Sequence, residues 1–78
     1  MKLTIVSPER IVYSGTADSV TVPGTKGAFE VLDNHAPIIS SLQPGTVVVR
    51  DNGTEQSFAI KSGFVEVARN EVSVCIEL

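Results

Sequence analysis

Thr46-Val47-Val48-Val49-Arg50-Asp51-Asn52-Gly53-Thr54-Glu55-Gln56-Ser57-Phe58-Ala59-Ile60-Lys61 is the stretch that decides the fold class. Thr46–Arg50 is β-branched almost throughout, and such side chains suit a pleated strand better than a helix. Asn52-Gly53 follows, and both residue types tolerate the positive φ that a tight hairpin turn requires. Gln56–Lys61 then returns as a second strand. The unit reads as strand, turn and antiparallel strand, with no helical stripe.

The same punctuation continues outward on both sides. Toward the C-terminus, Phe64–Ala68 pairs with Val72–Leu78 across Arg69-Asn70-Glu71. Toward the N-terminus, Lys2–Ser7 ends at Ser7-Pro8, Arg10–Ser14 ends at Gly15, and Thr16–Val22 ends at Pro23-Gly24. Ala28–Leu32 is a short strand, and Ile38–Leu42 ends at Pro44-Gly45. Many short strands at close spacing predict an all-β sandwich or barrel. No internal repeat, low-complexity segment or linker divides the chain.

A chain of 78 residues allows one domain, spanning 1–78. A domain of this size buries only about 60% of the surface of its unfolded chain. The net charge is −3 and the six basic residues are scattered, which argues against a nucleic-acid surface. Four aromatic residues and no Trp give no stacking platform for bases. One cysteine, Cys75, favours a reducing, cytoplasmic location over a disulfide-stapled secreted domain. One Cys and one His form no recognisable metal site. No signal peptide is expected before Leu3-Thr4-Ile5-Val6, and no apolar run approaches the ~20 residues of a membrane span. Direct membrane insertion is therefore not expected.

The last strand alternates cleanly, with Val72, Val74, Ile76 and Leu78 on one face and Ser73, Cys75 and Glu77 on the other. Val47-Val48-Val49 and Ile38-Ile39 do not alternate, so their strands are apolar on both faces. Two explanations remain open: ordinary apolar surface on a small domain, or an outer face covered by a partner. On the second, a charge at the outward member of Val47 and Val48 weakens binding, and the pattern does not say which of the two that is.

Catalytic chemistry finds little support. His35 stands two residues from Asp33, but no nucleophile elbow or other catalytic spacing accompanies it. A turn before Ala36-Pro37 needs donors and acceptors, so His35 reads as architecture. Gly24-Thr25-Lys26-Gly27 lacks the spacing of a phosphate loop and no helix follows it, so it reads as a turn. Ile60-Lys61-Ser62-Gly63 lacks the flanking residues of a lipoyl or biotinyl carrier lysine. Cys75 sits between apolar neighbours and reads as covered rather than reactive. No pair of carboxylates stands out for acid–base work.

The irregular middle of the chain carries a resemblance. Val22-Pro23-Gly24, Gly27-Ala28-Phe29-Glu30-Val31-Leu32, Asn34-His35-Ala36-Pro37-Ile38-Ile39 and Leu42-Gln43-Pro44-Gly45 follow one another in an order similar to the epsilon subunits of bacterial F-type ATP synthases, called delta in mitochondria. Leu3-Thr4-Ile5-Val6-Ser7-Pro8-Glu9 with Tyr13-Ser14-Gly15 matches the opening. Lys61-Ser62-Gly63-Phe64-Val65-Glu66-Val67 and Asn70-Glu71-Val72-Ser73-Val74 match the end. The resemblance covers essentially the whole chain. Each motif is weak alone, and their order and spacing together are specific.

The resemblance implies a small β-sandwich of about ten short strands and a non-catalytic place at the foot of the central stalk. The partners it implies are the gamma subunit and the ring of c subunits, with no cofactor. Such a rotor subunit couples proton or sodium flow to ATP synthesis. It lies peripherally at the cytoplasmic side of the bacterial cell membrane. Carried over, the ring-facing loop is Lys26, Gly27, Ala28, Phe29, Glu30, Val31 and Leu32. Ala28 stands where many relatives carry an acidic residue, and Glu30 is the nearest replacement charge. The matching gamma-facing positions are His35, Ser40 and Ser62. Relatives continue past the sandwich into a helical hairpin that can restrain hydrolysis and in some members binds ATP. From a sequence reaching Leu78, neither helix-based inhibition nor ATP binding is expected. A free-standing β-sandwich interaction module is the alternative, since fold alone does not fix function, and an enzyme comes third.

Overall fold

The computed structural model describes Met1–Leu78 and contains nine strands and no helix. In chain order they are β1 (Lys2–Val6), β2 (Ile11–Thr16), β3 (Ser19–Val22), β4 (Phe29–Leu32) and β5 (Ile38–Leu42). β6 (Gly45–Asp51), β7 (Thr54–Ile60), β8 (Ser62–Ala68) and β9 (Glu71–Glu77) complete the set. A five-stranded sheet, β2-β1-β9-β8-β5, and a four-stranded sheet, β4-β3-β6-β7, form the sandwich.

Both hairpin turns are where the sequence puts them. Asn52 (φ 51°) and Gly53 (φ 81°) occupy the left-handed region between paired Asp51 and Thr54. This is the backbone of a two-residue hairpin loop, and it is why Asn-Gly fits there. The Asn52 N–H also donates to Asp18 Oδ2 at 2.8 Å, tying the turn to the β2–β3 connection. Arg69 (φ 55°) and Asn70 (φ 58°) form the equivalent turn between Ala68 and Glu71.

Most strand limits differ from the sequence expectation by one to three residues, and two of these differences fall where the chain changes sheets. Gly15 does not end a strand; β2 runs through it, with Gly15 opposite Leu3. The break falls at Ala17-Asp18, where the chain passes between sheets and its amides are satisfied by Met1 O (3.0 Å) and Arg50 O (2.8 Å). Lys61 likewise lies outside β7. Its amide bonds to Glu77 O at 2.7 Å as the chain crosses back to the five-stranded sheet.

The core is built mainly from Val, Ile and Leu on the inward faces. Val72, Val74 and Ile76 are buried as their alternation predicts, while Leu78, beyond β9, is exposed. Fully burying one such side chain contributes roughly 1.5–3 kcal/mol. Val47 and Val49 face the core, so Val48 is the outward member of the triplet.

Gly63 marks the closest backbone approach. It pairs with Ile76, and a Cβ there would run into the Cys75 carbonyl oxygen and lie 3.2 Å from Ile76 Cα. Main-chain atoms in the middle of a sheet cannot step aside. Gly63→Ala is therefore expected to destabilise by roughly 3 kcal/mol, lowering the Tm by on the order of 15 °C. A thermal melt within about 5 °C of the parent contradicts this packing.

Candidate functional site

The segment after β3 is a strap between the two sheets. Gly24 and Leu42 form an isolated bridge. Gln43 donates its amide to Pro23 O (2.9 Å) and its side-chain Nε2 to Gly24 O (3.2 Å). Thr25 donates its amide to Ser41 O (3.0 Å), and the two hydroxyls are 2.9 Å apart. Gly27 N–H returns to Gly24 O at 2.9 Å, closing a tight turn with Gly27 at φ 126°. Gly24 has no room for a Cβ, which would meet Gly27 O at 2.7 Å and Phe29 Cε1 at 2.9 Å. The Gly-Thr-Lys-Gly stretch is thus a turn leading into a strand, as read.

The residues of the carried-over ring loop separate by environment. Lys26, Gly27 and Ala28 form an exposed tip. From Phe29 the chain is strand β4, and its alternation governs the rest. Phe29 packs against the core and Val31 is fully buried opposite Val20. Glu30 and Leu32 point outward on the four-stranded sheet. Glu30 sits 3.6 Å from Arg50, which also pairs with Glu55 at 3.0 Å. Its charge therefore belongs to the sheet face, away from the tip.

His35, Ser40 and Ser62 lie along one edge of the five-stranded sheet without converging. β5 and β8 run antiparallel, with Ile38 opposite Val67 and Leu42 opposite Gly63. His35, before β5, is therefore at the far end from Ser62. The His35 amide donates to Leu32 O at 3.2 Å, and Nδ1–H donates to Ala36 O at 2.7 Å. Asn34 (φ 62°) makes the turn and donates its amide to Asn70 Oδ1 at 2.8 Å. No nucleophile or carboxylate is hydrogen-bonded to the imidazole. The His35 side-chain bond is local and solvent-facing, so His35→Ala is expected to cost less than about 1 kcal/mol. Loss of cooperative unfolding in a denaturant titration would contradict that role.

Ser40 faces the open edge of the sandwich opposite Val65, with its hydroxyl on Ser41 O at 3.0 Å. It lines a groove with the strap tip and Ile39, which is 73% exposed. Ser62 lines a separate groove with Val6, Pro8, Phe64 and Cys75.

That second groove belongs to a larger feature that sequence reasoning missed. On the outer face of the five-stranded sheet, Ile11 is opposite Val6, Val6 opposite Cys75, Cys75 opposite Phe64, and Phe64 opposite Ser41. The result is an apolar row across the sheet, with Ile11 65% and Phe64 50% exposed. The outer face around Val48 is different. Its cross-strand neighbours are Thr21 and Ser57, and Arg50 with its two glutamates lies beside it. The apolar outer surface is on the other sheet from the one the valine triplet suggested. The signals in the sequence were Val6 and Phe64, each breaking alternation beside a core residue, and the Ile38-Ile39 pair, whose Ile39 is exposed on the outer face of this same sheet.

No three His, Cys, Asp or Glu side chains gather as a metal site. No helix is long and apolar enough to cross a membrane. Tyr13, away from both grooves, donates to Thr16 O at 2.6 Å; burial first and Asp51 second raise its pKa above the usual phenol value.

The chain is thus a small two-sheet β-sandwich with an apolar row on one outer face and a strap pinned between the sheets. Comparison with known proteins narrows this class. Residues 1–77 match the family described as the ATP synthase, Delta/Epsilon chain, beta-sandwich domain, and the chain belongs to that family. It is 39% identical over 77 residues to the ATP synthase epsilon chain of Caulobacter vibrioides, covering 99% of this chain and 90% of that one. It is 44% identical over 73 residues to the epsilon chain of Maricaulis maris, covering 94% and 55%. With that of Leptospira borgpetersenii the identity is 38% over 74 residues, covering 95% and 58%. The chain thus spans little more than half the length of the latter two relatives.

Among solved structures, the fold is shared with a chain of the Euglena gracilis mitochondrial ATP synthase (TM-score 0.89, 22% identity, 95% of this chain and 48% of that one). It is shared also with a chain in the central stalk and c-ring structure of the Tetrahymena thermophila enzyme (TM-score 0.83, 15% identity, 99% and 63%).

Proposed function

We propose that the chain is a non-catalytic central-stalk subunit of an F-type ATP synthase, peripheral at the cytoplasmic side of a bacterial membrane. It binds gamma through the outer face of the five-stranded sheet and meets the c-ring through the tip of the strap. The observation that carries this reading is the apolar row Ile11–Val6–Cys75–Phe64 on a domain of this family. A permanent subunit contact needs an apolar centre with a polar rim. Here Ser62, Ser7 and Glu77 border the groove, and Ser62 is one of the gamma-facing positions the resemblance supplies.

Coupling in this role is mechanical. The ring turns on proton or sodium flow, and the subunit transmits that rotation to gamma. A transmitting element should not yield between its two contacts. The bonds from Thr25 to Ser41 on β5, and from Gln43 just after β5 to Pro23 and Gly24 of the strap, meet that need by tying the ring-facing tip to the sheet that faces gamma. The test is to rebuild the complex with and without the chain, measuring ion-driven ATP synthesis and ATP hydrolysis. Synthesis should fall when the chain is omitted while the catalytic sites still hydrolyse ATP. Equal synthesis in both preparations would sink the proposal.

A further inference from the structure

The sandwich has four open sheet edges, β2, β5, β4 and β7, and the first three are blunted against pairing with another chain. β2 carries a bulge opposite Ile5-Val6. β5 lies between Pro37 and Pro44, and the strap is bonded to it at Ser41 and Leu42. β4 has only four residues. β7 has none of these devices. Its seven residues, Thr54–Ile60, include no Pro, Gly or Lys, and they pair with β6 without a bulge from Thr54 opposite Asp51 to Ile60 opposite Gly45. Asn52-Gly53 is a two-residue loop, so its closing pair, Asp51 and Thr54, exchanges ladder bonds. Alternation then points the amide and carbonyl of Thr54, Gln56, Phe58 and Ile60 at β6, and those of Glu55, Ser57 and Ala59 away from the sheet. No turn or loop bond within the chain uses these outward groups.

We infer that β7 is a self-association edge: a second copy of this chain docks on it as an antiparallel strand about a two-fold axis through Ser57, joining two four-stranded sheets into one. A two-fold contact requires the same patch to match itself, and this edge does. Only the register centred on Ser57 pairs every outward amide and carbonyl. Ser57 then lies opposite its own counterpart, and Glu55 opposite the second copy's Ala59, which keeps the two carboxylates apart. On the core-facing side, half-buried Phe58 gains cover from the second copy's Gln56, which is exposed in the single chain. One strand pair is a small interface and each copy carries a net charge of −3, so the dimer is weak and is strengthened by salt. β7 belongs to the sheet opposite the apolar row, so pairing leaves the proposed gamma face open.

The test is analytical sedimentation of the full chain from about 10 µM to about 1 mM. A monomer–dimer equilibrium with a dissociation constant on the order of 100 µM is expected, tightening as salt rises from about 50 to about 500 mM. Ser57→Pro removes an outward amide and no bond to β6, so the chain should fold while self-association weakens by at least about tenfold. Phe64→Asp should leave self-association unchanged. Oxidation of variants carrying Cys75→Ser reads the register separately. Thiols introduced by Ser57→Cys stand on Cα atoms about 5.5 Å apart across the dimer and should cross-link. Those from Ala59→Cys are offset by about 13 Å and should not. A chain that stays monomeric at the highest concentration overturns the inference. Loss of the dimer in Phe64→Asp overturns it in favour of the apolar row, and cross-linking of Ala59→Cys as fast as Ser57→Cys refutes the register. A folded Ser57→Pro chain that no longer binds gamma assigns β7 to the stalk partner and overturns self-pairing.

Discussion

Val47→Asp is expected to unfold the chain, whereas Val48→Asp, one residue along the same strand, leaves it folded. Val47 is fully buried and opposite Phe58, in a core that offers no partner for a carboxylate. Burying an unpaired charge costs several kcal/mol. A domain of this size has only about 4–12 kcal/mol of stability in total. Val48 faces outward between Thr21 and Ser57. There a carboxylate keeps its water, and the loss is about 1 kcal/mol of strand propensity and partial burial. Denaturant titration separates the two. A Val47→Asp chain that unfolds cooperatively near the parent midpoint would contradict the assigned face, as would a Val48→Asp chain that does not fold.

Phe64→Asp should be the most damaging substitution for assembly. Phe64 lies within the apolar row, between Cys75 and Ser41, with half of its surface exposed. Its side chain projects away from the core, so the fold should persist. At a subunit interface an aromatic anchor of this kind is worth on the order of 2–4 kcal/mol, or roughly 30- to 1,000-fold in affinity. A charge in its place adds a desolvation penalty. Calorimetry against gamma should show at least the lower figure, while Ser57→Asp on the opposite sheet binds as the parent does. Unaltered binding by folded Phe64→Asp would place the gamma contact elsewhere.

The contrast between these substitutions follows what a linear pattern can carry. Asn52-Gly53 and the alternation of Val72, Val74 and Ile76 are local signals, and both hold. Glycine at position 15 looked like punctuation, yet a residue without a side chain also sits comfortably within an edge strand. The valine triplet suggested an apolar outer face on β6, but that face is set by Thr21 and Ser57 on neighbouring strands. The apolar row escaped notice for a related reason. Val6 meets Cys75 only because β1 and β9, from opposite ends of the chain, lie parallel. Val6 and Phe64 are single departures from alternation, Cys75 sits within a clean one, and only the register lines them up. The carried-over Lys26–Leu32 range likewise crosses from loop into strand at Phe29, so Val31 supports the surface from the core instead of presenting itself.

Cys75 gives the most direct measurement. It is the only cysteine in the chain, half-buried, and it lines the groove between Val6 and Phe64 on the face assigned to gamma. The rate of alkylation by a small maleimide can be compared in the free folded chain and in the assembled complex. The account predicts steady labelling of the free chain and slowing by an order of magnitude or more on assembly, as an interface centre excludes the reagent. Equal rates in both states would contradict it, because the apolar row would then remain open to solvent beside its supposed partner.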